Sequence, residues 1–368
     1  MSRPIELRVH PSAMRANLQR IRQLSLGASV WAVIKARGYG HGLEAVVDGF
    51  AQADGLAVLD IEEAVFLRDR GWTKPVLLLE GAFDHDDLEE AHRLGLDMVV
   101  HTHEQINRLF ARYERSESKG TLGRIWIKLN TGMNRLGFPS ASLPWLADRV
   151  EQMRRLLPGG VGMMTHFASA EDAEGVHLPL RLFKAMTTRL DRHPDEPLSV
   201  ANSAAAFRHS DARLGWLRPG LALYGASPLP DQTSQQLGLV GAASLRSRLI
   251  SIQSLEAGDA VGYGGRFVAK RSMRIGVVAA GYADGVMRAA PDGTPVWVSG
   301  HLCPLVGQVS MDMLTLDLSR HPSAEVGAEV ELWGQALPID TVAKHCATSA
   351  YELMTGVTER VPRRSSDG

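Results

Sequence analysis

Between residues 30 and 224 the chain alternates short apolar runs with longer stretches whose apolar residues recur three or four positions apart. The runs are Val30–Ile34, Leu56–Leu59, Val76–Leu79, Met98–Val100, Ile125–Leu129, Val161–Met164, Leu198–Ala201 and Leu221–Tyr224. They have strand length. Between them, Asp84–Leu94, Glu104–Tyr113, Leu143–Leu157 and Leu178–Arg192 carry the spacing of amphipathic helices. Eight strands alternating with helices predict an α/β fold, a (β/α)8 barrel of the TIM type, with its active site at the C-terminal ends of the strands. A doubly wound sheet is the alternative, and eight short runs fit closure better.

After Gly225 the texture changes. Val240–Leu255, Arg274–Ala280, Pro295–Val298 and Glu329–Trp333 read as strands, and glycines punctuate them at short intervals. No long helical pattern falls between Ala226 and Leu337. The prediction is a barrel over residues 1–227 and a mostly-β C-terminal domain over 228–368, parted in the polar stretch Pro228–Gln236. The tail Arg360–Gly368 is polar and is expected to fray.

Composition narrows the function classes. The 368 residues are 45% hydrophobic and 22% charged, with a net charge of -1, which supplies no electrostatic case for nucleic acid or a membrane surface. MSRPIELRVH lacks the apolar core of a secretion signal. The two cysteines, Cys303 and Cys346, are far apart and lack metal-ligand spacing. A cytoplasmic protein without a metal is expected.

The chemistry gathers at strand ends. In WAVIKARGYGHG, residues 31–42, Lys35 follows a buried run and precedes a glycine-laced segment. A partly desolvated amine there has a lowered pKa and a lone pair free to form an imine with an aldehyde. A lysine snorkelling to the rim is the plain alternative. The following glycines let backbone approach a ligand closely, and Tyr39 and His41 add polar handles. The later strand ends read IWIKLNTGMNRLGF (125–138), MMTHFA (163–168), VANSAA (200–205) and LRPGLALYG (217–225). Ser203 and Gly220 can offer a hydroxyl and backbone N–H groups to a phosphate, while Asn202-Ser203 can equally cap a helix.

Taken in order, AVIKARGYGHG, KLNTGMNRLGF, THFASA, ANSAA, RPGLALYG, VGYGG, AAGYADG, QVSMD and the late Tyr351 resemble the alanine racemases, which use pyridoxal 5'-phosphate (PLP). The likeness spans Lys35 to Pro362, and nine segments in order are specific where one would be weak. It implies interconversion of L- and D-alanine, for peptidoglycan or for alanine catabolism, with PLP carried on Lys35. It implies that Tyr39, Ser203, Gly220, Leu221 and Tyr351 hold the phosphate, with Asn202 and His166 also at the cofactor. Arg218 would face the pyridine nitrogen and, unable to take up a proton, would keep it unprotonated. Lys35 and Tyr263 would be the two catalytic groups, on opposite faces of the substrate α-carbon. Tyr263 would come from the second subunit of a homodimer, linked through His166 to Arg218. Arg135 would clamp the substrate carboxylate, joined by Met311 and Asp312, and Tyr282 would narrow the entrance. Lys128 would carry a carbamate (N6-carboxylysine) that braces Arg135.

Three rival readings remain at this point. A PLP-dependent decarboxylase would place a glutamate where Arg218 stands and a cysteine where Tyr263 stands. A PLP-carrier protein would be the barrel alone, against the roughly 140 residues that follow Gly225. A zinc amidohydrolase would draw on His101 and His103 with a carbamylated Lys128, but needs further ligands that the pattern does not offer.

Overall fold

Eight parallel strands run in chain order around the first unit of the computed structural model, which describes residues 3–115 and 122–366. They are Ser29–Val33, Gly55–Val58, Val76–Leu78, Asp97–Val100, Ile125–Lys128, Val161–Met164, Leu198–Ser199 and Trp216–Leu217. The last pairs with the first, Leu217 beside Val30. The seam between the last two is closed by other bonds: Ser199 Oγ donates to the Trp216 carbonyl at 2.6 Å, and Arg218 N donates to the Ala201 carbonyl at 2.8 Å.

Helices follow the first seven strands, from Leu43–Gly49 to Ser203–Arg208. In Leu143–Leu156 the buried residues Leu143, Leu146, Val150 and Met153 trace the predicted apolar stripe. The eighth helical position is taken by Pro11–Ser25, which precedes the barrel and packs against Leu43–Gly49 and Ser203–Arg208. It opens on Pro11, where the first turn needs no N–H.

The lower end of the barrel is filled and dry. Trp31 stacks on Trp216 with centroids 4.3 Å apart, and Trp126 meets Trp31 edge-on. Gly55 and Gly162 make room, since a Cβ on either would lie within 2.8 Å of an indole carbon. The Trp126 indole N–H donates to buried Asp97 at 2.9 Å. Emptying such a position costs about 3–5 kcal/mol.

The barrel expectation holds with one correction at its eighth strand. Leu221–Tyr224 is a 3₁₀ turn, and the strand is the shorter Trp216–Leu217. Pro219 has no N–H for a ladder, and the Gly220 and Ala222 amides donate to Ser203 Oγ at 2.9 and 3.3 Å. These bonds wind the segment into a turn above the strand.

In the second unit the long strand Ala243–Leu255 is central. It pairs with Glu329–Trp333 and with Met273–Val278, which in turn pairs with Leu314–Asp317. Pro295–Val298 and His301–Pro304 extend it as a hairpin, and two helices, Ile339–His345 and Ala350–Thr355, close the chain. The N-terminal strand Glu6–Val9 joins this sheet by pairing antiparallel to Ala243–Leu255. A second correction concerns the tail. Arg363–Ser365 does not fray but forms a parallel strand beside Glu6–Val9, because that strand still has a free edge.

Candidate active site

The chain leaves the first barrel strand into an unusual conformation. Ala36, Arg37, Gly38 and Tyr39 have φ of 55°, 53°, 67° and 51°, a single left-handed turn directly after Lys35. Each L-residue in that conformation costs roughly 1–2 kcal/mol, so neighbours must hold the turn. Gly38 is required by contact, since a Cβ would lie 2.6 Å from a Val46 methyl. Buried Glu63 accepts from Arg37 N at 2.8 Å and from Leu59 N at 3.2 Å. His41 Nδ1 donates to the Gly38 and Tyr39 carbonyls at 3.0 and 2.9 Å. Burial holds His41 at about 4, against the pull of those two carbonyls, so the ring is neutral with its proton on Nδ1.

The turn sends Tyr39 across the barrel mouth. Its ring stacks on Tyr224 at 4.6 Å and lies 5.7 Å from the ring of Tyr351. Its hydroxyl faces Gly220 so closely that a Cβ there would be 2.3 Å away. Burial raises the Tyr39 phenol strongly, and Tyr351 is pushed up to about 12 by burial and then by Glu171. Both phenols are neutral donors at any ordinary pH. Ser203 begins its helix behind the Asn202 cap, whose side chain accepts from Ala205 N at 3.0 Å. Having accepted from two amides, the Ser203 hydroxyl keeps its own proton for a third partner.

Lys35, Tyr39, Lys128, Arg135, His166, Asn202, Ser203, Arg218, Gly220 and Tyr351 line one cavity of about 120 Å³ at the upper end of the barrel. Leu221 is buried behind Gly220. Arg218 is 6% exposed; its guanidinium donates to Ser199 Oγ and to the Thr165 carbonyl. Burial without a carboxylate lowers it to about 10, so it remains a cation. Burial, then Arg218, Arg135 and Lys35, draws Lys128 down to about 8 against the pull of Glu80. His166, held at about 3 by burial and by the same four cations, is neutral. Four cationic side chains in one small cavity call for an anion. The phenols, the Ser203 hydroxyl and the Gly220 cradle suit a phosphate, and Lys35 suits a carbonyl, so the residues present fit PLP.

Four sequence candidates stand outside this cavity. Tyr263 is 79% exposed at the tip of the ribbon formed by Ala260–Val261 and Phe267–Val268. Met311 is 52% exposed, and Tyr282 projects from a turn hydrogen-bonded to the Ser310–Met311 backbone. The Asp312 carboxylate is taken by Arg360 at 2.7 Å. Within one chain, among the described residues, no hydrogen bond joins Tyr263, His166 and Arg218. His101 Nε2 donates to the Glu80 carbonyl while His103 packs on Trp145, so the pair does not converge.

Sequence reasoning passed over Glu80, Tyr224 and Glu63. Glu80 ends VLLLE, so the strand-end argument that singled out Lys35 would have found it. Tyr224 lay within a run read as strand, and nothing local marks Glu63 as the acceptor for the left-handed turn. A larger cleft of about 310 Å³ behind His41 and Tyr224 is lined by neutral side chains, none of the cavity's cations among them.

A barrel whose mouth gathers an amine, neutral phenols and several cations, with a β-domain carried behind it, defines a class of enzyme that handles small anionic carbonyl compounds. The chain belongs to the alanine racemase family: the model of that family's N-terminal domain matches residues 9–228, and that of its C-terminal domain matches residues 242–365. It is 44% identical over 365 residues to an alanine racemase of Nitrosomonas eutropha, covering 98% of this chain and 99% of that one. A Bordetella petrii alanine racemase is 47% identical over 380 residues at the same coverage. The crystal structure of the biosynthetic alanine racemase of Pseudomonas aeruginosa superposes with a TM-score of 0.91 at 41% identity, covering 99% of each chain. An alanine racemase structure from Bartonella henselae, described with covalently bound pyridoxal phosphate, superposes at 0.88 with 26% identity, covering 98% of this chain and 99% of that one.

Proposed function

We propose that this protein interconverts L- and D-alanine with PLP held on Lys35. The observation that carries the reading is the convergence of Lys35 with Lys128, Arg135, Arg218 and the two neutral phenols on one cavity. The family membership and the Bartonella relative's covalently bound cofactor support it. When bound, the cofactor supplies an aldehyde for the substrate amine and an electron sink that acidifies the α-proton.

The chain's own residues do the rest. Tyr39, Tyr351, Ser203 and the Gly220–Leu221 backbone grip the phosphate. Arg218 remains charged and would offer a bound cofactor no proton. A cofactor held so would be a weaker electron sink. Arg135 at the rim takes the substrate carboxylate. Lys128, neutral half the time near pH 8, is free to add carbon dioxide and become an anion beside that arginine. Lys35 Nζ handles the α-proton on one face and the partner subunit's Tyr263 handles it on the other. The exposure of Tyr263 and Met311 supports a homodimer in which a second chain covers them.

The test combines an absorbance scan, borohydride reduction with peptide mapping, and racemisation assays over a panel of L- and D-amino acids. The expected result is cofactor mass on the Lys35 peptide and fastest turnover of alanine. Label on Lys128 or Lys184, or racemisation of other amino acids in preference to alanine, would overturn the assignment.

A further inference from the structure

We infer that Arg363 is a positioning residue that clasps the two tyrosine-bearing segments of the cofactor pocket to each other. This rests on the PLP reading of the pocket and deepens it.

Arg363 lies in the last strand, outside the pocket, yet its guanidinium contacts the backbone on both sides of it. Nε donates to the Gly40 carbonyl at 2.8 Å, one residue after Tyr39. Nη2 donates to the Val357 carbonyl at 2.8 Å, just beyond the helix that carries Tyr351. Nη1 donates to the Thr358 and Val361 carbonyls at 3.1 and 3.0 Å. Four carbonyls thus share one planar fork, and among the described residues no salt bridge draws it away, although nearby Glu359 pulls its pKa up. Burial, and then Arg37, lowers the pKa of Arg363. The strand is itself fixed, with Leu7 opposite Arg363 in the parallel ladder.

The two clasped segments already touch. A Cβ on Gly40 would lie 2.4 Å from the Met354 carbonyl, so the left-handed turn sits directly on the Tyr351 helix. Arg37 pairs with Glu359 across the same junction, on the exposed side. The backbone of the turn is strained, and such conformations persist only where surroundings over-determine them. Glu63 and His41 hold the turn from within the barrel. Arg363 is the hold that comes from the second unit, and it alone of the three also reaches the Tyr351 side. The spacing of the Tyr39 and Tyr351 hydroxyls, which sets the grip on a phosphate, then depends on a side chain that touches neither tyrosine.

The test compares Arg363→Met and Arg363→Lys with the exposed neighbour Arg364→Met. Amide hydrogen exchange is followed over residues 36–42 and 350–358 of the cofactor-free chain, and PLP affinity is followed by titration. Arg363→Met should speed exchange at Tyr39–Gly42 about tenfold and weaken PLP binding roughly ten- to a hundredfold. Turnover at saturating PLP should recover most of its wild-type value. Arg363→Lys, able to reach Gly40 but not to fork, should fall between, and Arg364→Met should match wild type. Unchanged exchange at 36–42, or affinity lost only in step with the folded fraction by circular dichroism, overturns the clasp. Faster exchange in a protein that binds no PLP in any form would uphold the clasp and overturn the cofactor reading.

Discussion

The barrel mouth and the β-domain surface carry the two halves of the proposed site, and they are finished to different degrees. Tyr39 is 5% exposed and stacked on Tyr224, and Arg218 is 6% exposed and donates to Ser199 and Thr165 at the ends of two barrel strands. Tyr263 is 79% exposed and Met311 52%, on a ribbon and a turn of the second unit. The buried half has its electrostatics set within one chain: desolvation and crowded cations hold His166 neutral and pull Lys128 toward neutrality. A phenol in water is a poor base at neutral pH, so the role proposed for Tyr263 requires a second chain that excludes that water. On the proposed reading, one half is made by folding and the other by association.

The largest expected effects break this comparison at its chemical centre. Lys35→Ala should lower racemisation on the order of 10⁴-fold, measured by chiral separation of alanine, and activity above a hundredth of wild type would remove Lys35 from its role. Tyr263→Phe should cost roughly 10²- to 10⁴-fold without loss of folding, because the side chain is exposed in the single chain. Mixing the two inactive variants should restore roughly a quarter of wild-type activity, since about half of randomly assorted dimers hold one intact site. Mixed dimers, proven by mass spectrometry but inactive, would put both groups in one chain.

Stability measurements sharpen the buried half. His41 and His166 sit at about 4 and about 3 when folded, below their ordinary value, so the unfolded chain binds more protons as pH falls through about 6.5. Stability should therefore decline below that pH, by at most roughly 2.7 kcal/mol per pH unit for two protons. His166→Asn should remove about half of the slope in urea titrations at pH 7, 6 and 5. A smaller effect concerns Lys128 in buffer free of carbon dioxide. Its folded pKa of about 8 is depressed, so the penalty for its charged form is complete below pH 8 and fades as pH rises toward the unfolded value. Lys128→Met should then stabilise the cofactor-free chain by about 1 kcal/mol or more at pH 7, and the gain should fade as pH passes 10. A gain that persists there would point to packing instead of charge.

Much of this architecture was legible before any coordinates. The barrel strands and their helices followed from apolar periodicity, Lys35 and Ser203 from their places at strand ends, and Lys128 and His166 from the family resemblance. The eighth strand misled because Leu221–Tyr224 is apolar for a different reason: it is buried as a turn over the seam. The tail misled because Arg363 and Arg364 are polar, and polarity says nothing about an open strand edge several hundred residues away in sequence. Glu63 was invisible because its partners, Arg37 N and Leu59 N, are backbone groups whose need for an acceptor arises only from the shape of the turn.

By itself the sequence determined the alternation of elements, the family to which the chain belongs and which residue types reach the barrel mouth. These are local properties, carried by spacing and side-chain chemistry. The tertiary structure decided the left-handed turn after Lys35, the neutrality of His166 and the joining of the first and last strands in one sheet. Each depends on groups brought together across long stretches of chain, where desolvation, crowded charge and backbone hydrogen bonding act through distance in space and not through order in sequence.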